Sequence, residues 1–144
     1  LQHANVLVTP RGYLKLVDYD GMCEPALAGR RNLETGLAPY QHPQRNEQTL
    51  LSANLDHFSA LVIYVALRAL AADTSLWKRY VEQPGYDKLL FRNEDFRDPE
   101  HSALYGDLRR SPDPAIAELT ARLFAFAKGN LDDVPPLGQL VGRW

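Results

Sequence analysis

Leu14-Lys15-Leu16-Val17-Asp18-Tyr19-Asp20-Gly21 is the stretch on which the reading of this chain turns. Residues 14–17 have the composition of a strand, and Asp-Tyr-Asp-Gly then breaks it, so Asp18 falls where the backbone turns out of a packed interior. An aspartate there is most often a turn former. It is also where a carboxylate can hold a hard cation, which takes oxygen ligands.

The residues just upstream bear on that choice. Asn5-Val6-Leu7-Val8 is a short apolar strand, Thr9-Pro10-Arg11-Gly12 has the composition of a tight turn, and Tyr13 to Val17 is a second strand. Strands joined so closely pair antiparallel, which puts Asn5 and Asp18 at the same end of the ribbon. An amide oxygen and a carboxylate then face one small volume. With water and phosphate oxygens such a pair completes the octahedron of a magnesium ion; the plain alternative is that Asn5 only caps the preceding loop.

The rest of the composition narrows the field. The 144 residues make one ordinary domain, and 16 basic against 18 acidic side chains, interspersed, leave a net charge of −2. No polyanion-binding surface is implied, so nucleic acid is not an expected partner. The single cysteine, Cys23, excludes an internal disulfide and the spacings of a structural zinc site, and His3, His42, His57 and His101 lie scattered without ligand spacing. A cytoplasmic location is the expectation. The most apolar run, Phe58 to Leu67, is too short to span a bilayer and is flanked by His57 and Arg68, which predicts a buried helix rather than a membrane span. The chain opens on Leu1 and its only methionine is Met22, so it reads as a piece of a longer protein.

Downstream of the hairpin, Pro25, Gly29, Gly36, Pro39 and Pro43 break every candidate helix over residues 22–54, with Arg30-Arg31 exposed in the middle. The loop leads into a rigid knot, Pro39-Tyr40-Gln41-His42-Pro43. A helix follows over residues 55–72, capped by Asn54 or Asp56; Phe58, Leu61, Val62, Val65 and Ala69 form one apolar stripe, and Ile63 and Leu67 make the opposite face apolar too. Shorter amphipathic helices fill residues 73–144. One begins at Asp73-Thr74-Ser75 and runs through Leu76, Trp77, Tyr80 and Val81. A second begins at Asp98-Pro99 with Leu104, Tyr105 and Leu108 inward, and a third at Asp113-Pro114, stopping at Gly129-Asn130. Pro135-Pro136 starts a linker or a last short turn.

This order of parts resembles the C-terminal lobe of a protein kinase. More narrowly it is similar to the bacterial protein-kinase-like domains, of eukaryotic-like Ser/Thr type, whose catalytic loop reads His-Gly-Asp-Leu-Gln-His-Gly-Asn and whose magnesium motif reads Asp-Tyr-Asp-Gly-Met. The matching residues are Leu1-Gln2-His3-Ala4-Asn5, Asp18-Tyr19-Asp20-Gly21-Met22, the Tyr40-x-x-Pro43 closure and Asp56-x-Phe58-Ser59. The resemblance implies a mainly α fold with a short β-hairpin, an incomplete kinase-like fold comprising the C-lobe without the N-lobe. Residues 1–21 would be the catalytic-loop end, hairpin and magnesium motif, 22–54 the activation-segment-like loop, 55–72 the central buried helix and 73–144 the helical subdomain and tail.

By the same resemblance Asn5 and Asp18 bind magnesium beside ATP, Tyr19 packs beneath the metal motif, Gly21 carries its hinge, and Asp56 holds the backbone of the catalytic loop. The catalytic base is then expected just before Leu1, so the chain itself holds no catalytic residue and would be inactive, while its parent would phosphorylate Ser or Thr of a protein substrate or serve a regulatory partner. Departures from the pattern are Gln2 in place of a lysine, Asp20 in place of a glycine, and Gln44 in place of a glutamate that pairs with a late arginine. They motivate a pseudokinase-type nucleotide- or partner-binding module as the alternative. An aminoglycoside- or choline-type phosphotransferase shares the catalytic-loop pattern, but the Tyr40-x-x-Pro43 closure followed by Asp56-x-Phe58-Ser59 belongs to protein kinases.

Overall fold

Thr9, Pro10 and Gly12 make the first turn. The Gly12 amide donates to the Thr9 carbonyl at 2.9 Å, Pro10 presets the turn, and Gly12 takes a φ of 82°, a left-handed conformation open to a residue without Cβ. The strands on either side, β1 (Val6–Val8) and β2 (Leu14–Leu16), pair antiparallel with Val6 opposite Leu16, Leu7 opposite Lys15 and Val8 opposite Leu14. The computed structural model describes residues 1–18, 23–31, 36–82 and 87–142. Among them the ribbon is the only sheet, and the remainder is mainly helical.

The core is organised on α1 (Leu55–Ala72). Phe58, Leu61, Val62, Val65 and Ala69 are all buried, as is Ile63; Leu67, expected to face the interior as well, is half exposed, so the second apolar face is only partly covered. α1 has the length and hydropathy to cross a membrane, yet half of it is buried against the other elements, as in a core helix. Its main neighbour is α4 (Pro114–Lys128), which α3 (Ala103–Arg109) also packs against. Between them Phe96, on α2 (Asn93–Arg97), stacks with Phe58, Phe91 and Phe124 at centroid distances of 5.3–5.5 Å, and Tyr105 lies 4.2 Å from Phe124. Such offset and edge contacts are the favoured aromatic geometries and add to the burial of apolar area.

Local capping chemistry sets some boundaries and overturns others. Asp113 caps α4 as expected, its Oδ1 accepting from the Ala115 amide at 2.9 Å, and the helix stops before Gly129. The helix expected from Asp98-Pro99 is instead broken in two. Asp98 uses its carboxylate on His101 Nδ1 at 2.9 Å, leaving a single 3-10 turn, Pro99–His101, and Ser102 becomes the true cap of α3 by accepting from the Tyr105 amide. The helix expected after Asp73 is a π-helical turn, Trp77–Val81, with Trp77 half exposed. The segment after Pro135-Pro136 forms a short helix, α5 (Leu137–Val141).

Within this core Thr120 Oγ1 is buried and has no hydrogen-bond partner among the described residues. An orphaned hydroxyl carries its full desolvation penalty, so Thr120→Val, which keeps the shape, is expected to raise stability by about 1 kcal/mol in urea unfolding. A loss of stability would show that the hydroxyl is bonded.

Candidate functional site

The ladder of the hairpin continues one step past β1: the Val17 amide donates to the Asn5 carbonyl at 2.9 Å. That extra rung brings the start of one strand beside the end of the other at the base of the ribbon, and Asn5 Nδ2 donates to Asp18 Oδ2 at 3.1 Å. Asn5 ends a one-turn 3-10 helix, His3–Asn5, which it also closes: its backbone amide donates to the Gln2 carbonyl at 3.0 Å, and its Oδ1 accepts from the Gln2 amide at 2.9 Å. Asp18 sits at a φ of 61°, in the left-handed region. Asparagine and aspartate tolerate that region better than other side chains, but it is uncommon for any of them, and such outliers concentrate at functional sites.

The proximity of the pair was expected from antiparallel pairing alone, but with the amide oxygen of Asn5, not its nitrogen, facing the shared volume. Asp18 is exposed, forms no ion pair among the described residues, and has an amide side chain beside it. No group of three or more His, Cys, Asp or Glu converges among the described residues. Two protein ligands with water and phosphate for the rest is the usual way magnesium is held, because it gives up water reluctantly. As it stands Asn5 turns its amide nitrogen to Asp18; presenting Oδ1 instead requires a half-turn of the amide and the loss of the Gln2 bond. Tyr19 and Gly21, also expected at the site, lie outside the described residues.

No protein-family model, curated protein or solved structure matches the chain.

The site and the loop beside it are fastened to the core at three points, of which the first two hold the segment that carries Asn5. Asp56, in the first turn of α1, has Oδ1 2.6 Å from the backbone nitrogen of Leu1, in the segment that carries Asn5. The second anchor is Tyr40. Its carbonyl accepts from the buried Ser59 Oγ on α1 at 2.7 Å, and its hydroxyl lies 2.7 Å from both His3 Nδ1 and the Leu89 amide. Burial holds the Tyr40 hydroxyl well above the usual tyrosine range, so it stays protonated. The third is His42, which is buried and lies 2.9 Å from the Phe126 carbonyl through Nε2, while Nδ1 accepts from the Gln44 amide at 3.2 Å. Gln44 itself does not need a late arginine: its Oε1 accepts from the Leu131 amide at 3.2 Å. Sequence reasoning placed Tyr40 and His42 in a rigid knot without assigning them partners, because His3, Leu89 and Phe126, which their side chains meet, lie 37 to 84 residues away.

A cleft of about 230 Å³ opens beside this loop, lined by Gln41, His42, Arg45, Asn93 and Arg97 among others, and neither Asn5 nor Asp18 is among its described lining residues.

Burial, which disfavours the charged imidazolium, lowers the His42 pKa below its ordinary value against the opposing pull of the Phe126 carbonyl bond. Between that lowered value and about 6.5 the unfolded chain binds more protons than the folded one, so stability is complete above about pH 6.5 and falls as pH drops through the window. The expected result, measured in a His101→Ala background to remove the opposite contribution of the raised His101 pKa, is a urea midpoint that declines from about pH 7.5 to about pH 5.5, with the His42 ring titrating below about 6.5 by NMR. A midpoint that rises on acidification would contradict this.

Proposed function

We propose that this chain is the magnesium-binding C-lobe half of a protein kinase-like domain, whose longer parent transfers the γ-phosphoryl group of ATP to Ser or Thr of a protein. The observation that carries the reading is the Asn5–Asp18 contact at 3.1 Å, made at one end of a hairpin whose leading segment is tied by Asp56 to the central buried helix. Asp18 would ligate a magnesium ion on the nucleotide phosphates and Asn5 a second position. When bound, the metal neutralises the charge that develops on the transferred phosphoryl group. Asp56 holds Leu1, and with it the segment immediately after the proposed catalytic aspartate. Phosphoryl transfer depends mostly on positioning and charge stabilisation, so a rigid platform of this kind is the part the chain can contribute.

The exposed apolar side chains of the ribbon support the same reading. Leu7, Val8, Tyr13 and Leu14 are 50–69% exposed, and an isolated two-stranded ribbon is marginal in water without a covering layer. An N-lobe with the glycine-rich loop and its lysine would supply that cover. A nucleotide- or partner-binding module without turnover is the second reading, motivated by Gln2, Asp20 and Gln44 at the departures from the kinase pattern.

Magnesium-dependent turnover of ATP by the longer parent tests the proposal. Asp18→Ala should lower kcat by at least about a hundredfold, and the 144-residue chain alone should show no turnover. Parent activity that survives Asp18→Ala unchanged would refute the metal role, binding of ATP without turnover would favour the second reading, and phosphorylation of aminoglycosides rather than protein would move the parent to small-molecule phosphotransferases.

A further inference from the structure

With a neutral His3 ring, the hydrogen bonds around it fix which nitrogen carries the proton. Tyr40 O must accept from the Leu89 amide, so its own O–H is free to donate, and His3 Nδ1 at 2.7 Å is the acceptor in line. His3 then carries its proton on Nε2, which lies 3.3 Å from Asp87 Oδ1. The two rings are also stacked, with centroids 5.4 Å apart and planes 22° apart. Asp87 is 70% exposed, so its link to His3 is screened and weak; the buried Tyr40 side is the firm one.

His3 is the first residue of the 3-10 turn that ends on Asn5, and the Val6 amide donates to the His3 carbonyl. Tyr40, in turn, is locked to α1 through Ser59. We propose that His3 is a positioning residue that couples the closing loop at Tyr40 to the Asn5–Asp18 pair, setting the turn that aims the Asn5 amide at Asp18. The inference rests on the metal-site reading for its functional meaning, but not for its geometry. His3 thus passes the fixed position of Tyr40 on to the turn, and the Asn5 amide belongs to that turn.

The test uses the ¹⁵N-labelled 144-residue chain without metal or nucleotide. Exchange of the Gln2 and Asn5 amides with solvent reports the turn, and exchange of the Leu123 amide in α4 reports the core. His3→Ala should speed exchange at Gln2 and Asn5 roughly tenfold and leave Leu123 unchanged, as expected for loss of one good hydrogen bond. His3→Asn, whose Oδ1 can stand in for Nδ1 as acceptor from Tyr40, should restore most of the protection where a merely space-filling role would not. Long-range ¹H–¹⁵N spectra should place the His3 proton on Nε2. Unchanged exchange in His3→Ala, no rescue by His3→Asn, or a proton found on Nδ1 would each overturn the proposal. If the parent shows no magnesium-dependent turnover while the Gln2 and Asn5 response stands, the phosphotransfer reading fails and the coupling does not.

Discussion

A single buried hydroxyl, Ser59 Oγ, donating to the Tyr40 carbonyl at 2.7 Å, is the interaction from which the rest of the structure can be understood. Both groups are buried, so neither can turn to water, and separating them would leave an unpaired acceptor at a cost of about 1–3 kcal/mol. The consequence is that an irregular stretch rich in Pro and Gly acquires one fixed point near the start of the core helix. From there the loop is pinned on both sides. Tyr40 reaches His3 and Leu89 with its hydroxyl, and two residues on His42 reaches the last turn of α4, where its Nε2–H joins the Gly129 amide on the Phe126 carbonyl. Gln44 then closes the same region onto Leu131.

The chain therefore has two parts held to different standards. The helices and the closing loop share one aromatic and aliphatic core around Phe58, Phe96 and Phe124, with few polar exceptions. The ribbon shares almost none of it: Val6 is packed against the core, while most of its other apolar side chains face outward. What gives the ribbon a defined place is its base, where the turn before Asn5 is tied to Tyr40 and Asp56. The candidate ligands sit at that base and not at the free tip, which is where a site needing fixed geometry has to be.

Local chemistry was readable from the residues. The hairpin follows from a Pro-x-Gly turn between two apolar runs, the core helix from a stripe of Phe58, Leu61, Val62 and Val65, and the cap at Asp113 from the Pro114 beside it. The Asn5–Asp18 contact followed too, because antiparallel pairing converts sequence order into proximity. Where two local partners competed, the residues did not announce the winner: Asp98 chose His101 over capping, and Ser102, already donating to Asp95, took the cap instead. Contacts between distant segments were illegible for a different reason. His3 and Tyr40, His42 and Phe126, and Gln44 and Leu131 are joined by the packing of α1 and α4, which no short pattern encodes, and a glutamine can lock onto a backbone amide as readily as a glutamate onto an arginine.

The most direct measurement of the central claim is paramagnetic line broadening by a trace of Mn²⁺ added to the ¹⁵N-labelled chain. The account predicts that the amides of Asn5 and Asp18 broaden ahead of those beside the other exposed carboxylates, and that Asp18→Asn abolishes the effect at both. Broadening confined to acidic surface residues such as Asp132 and Asp133, with Asn5 and Asp18 unaffected, would contradict it.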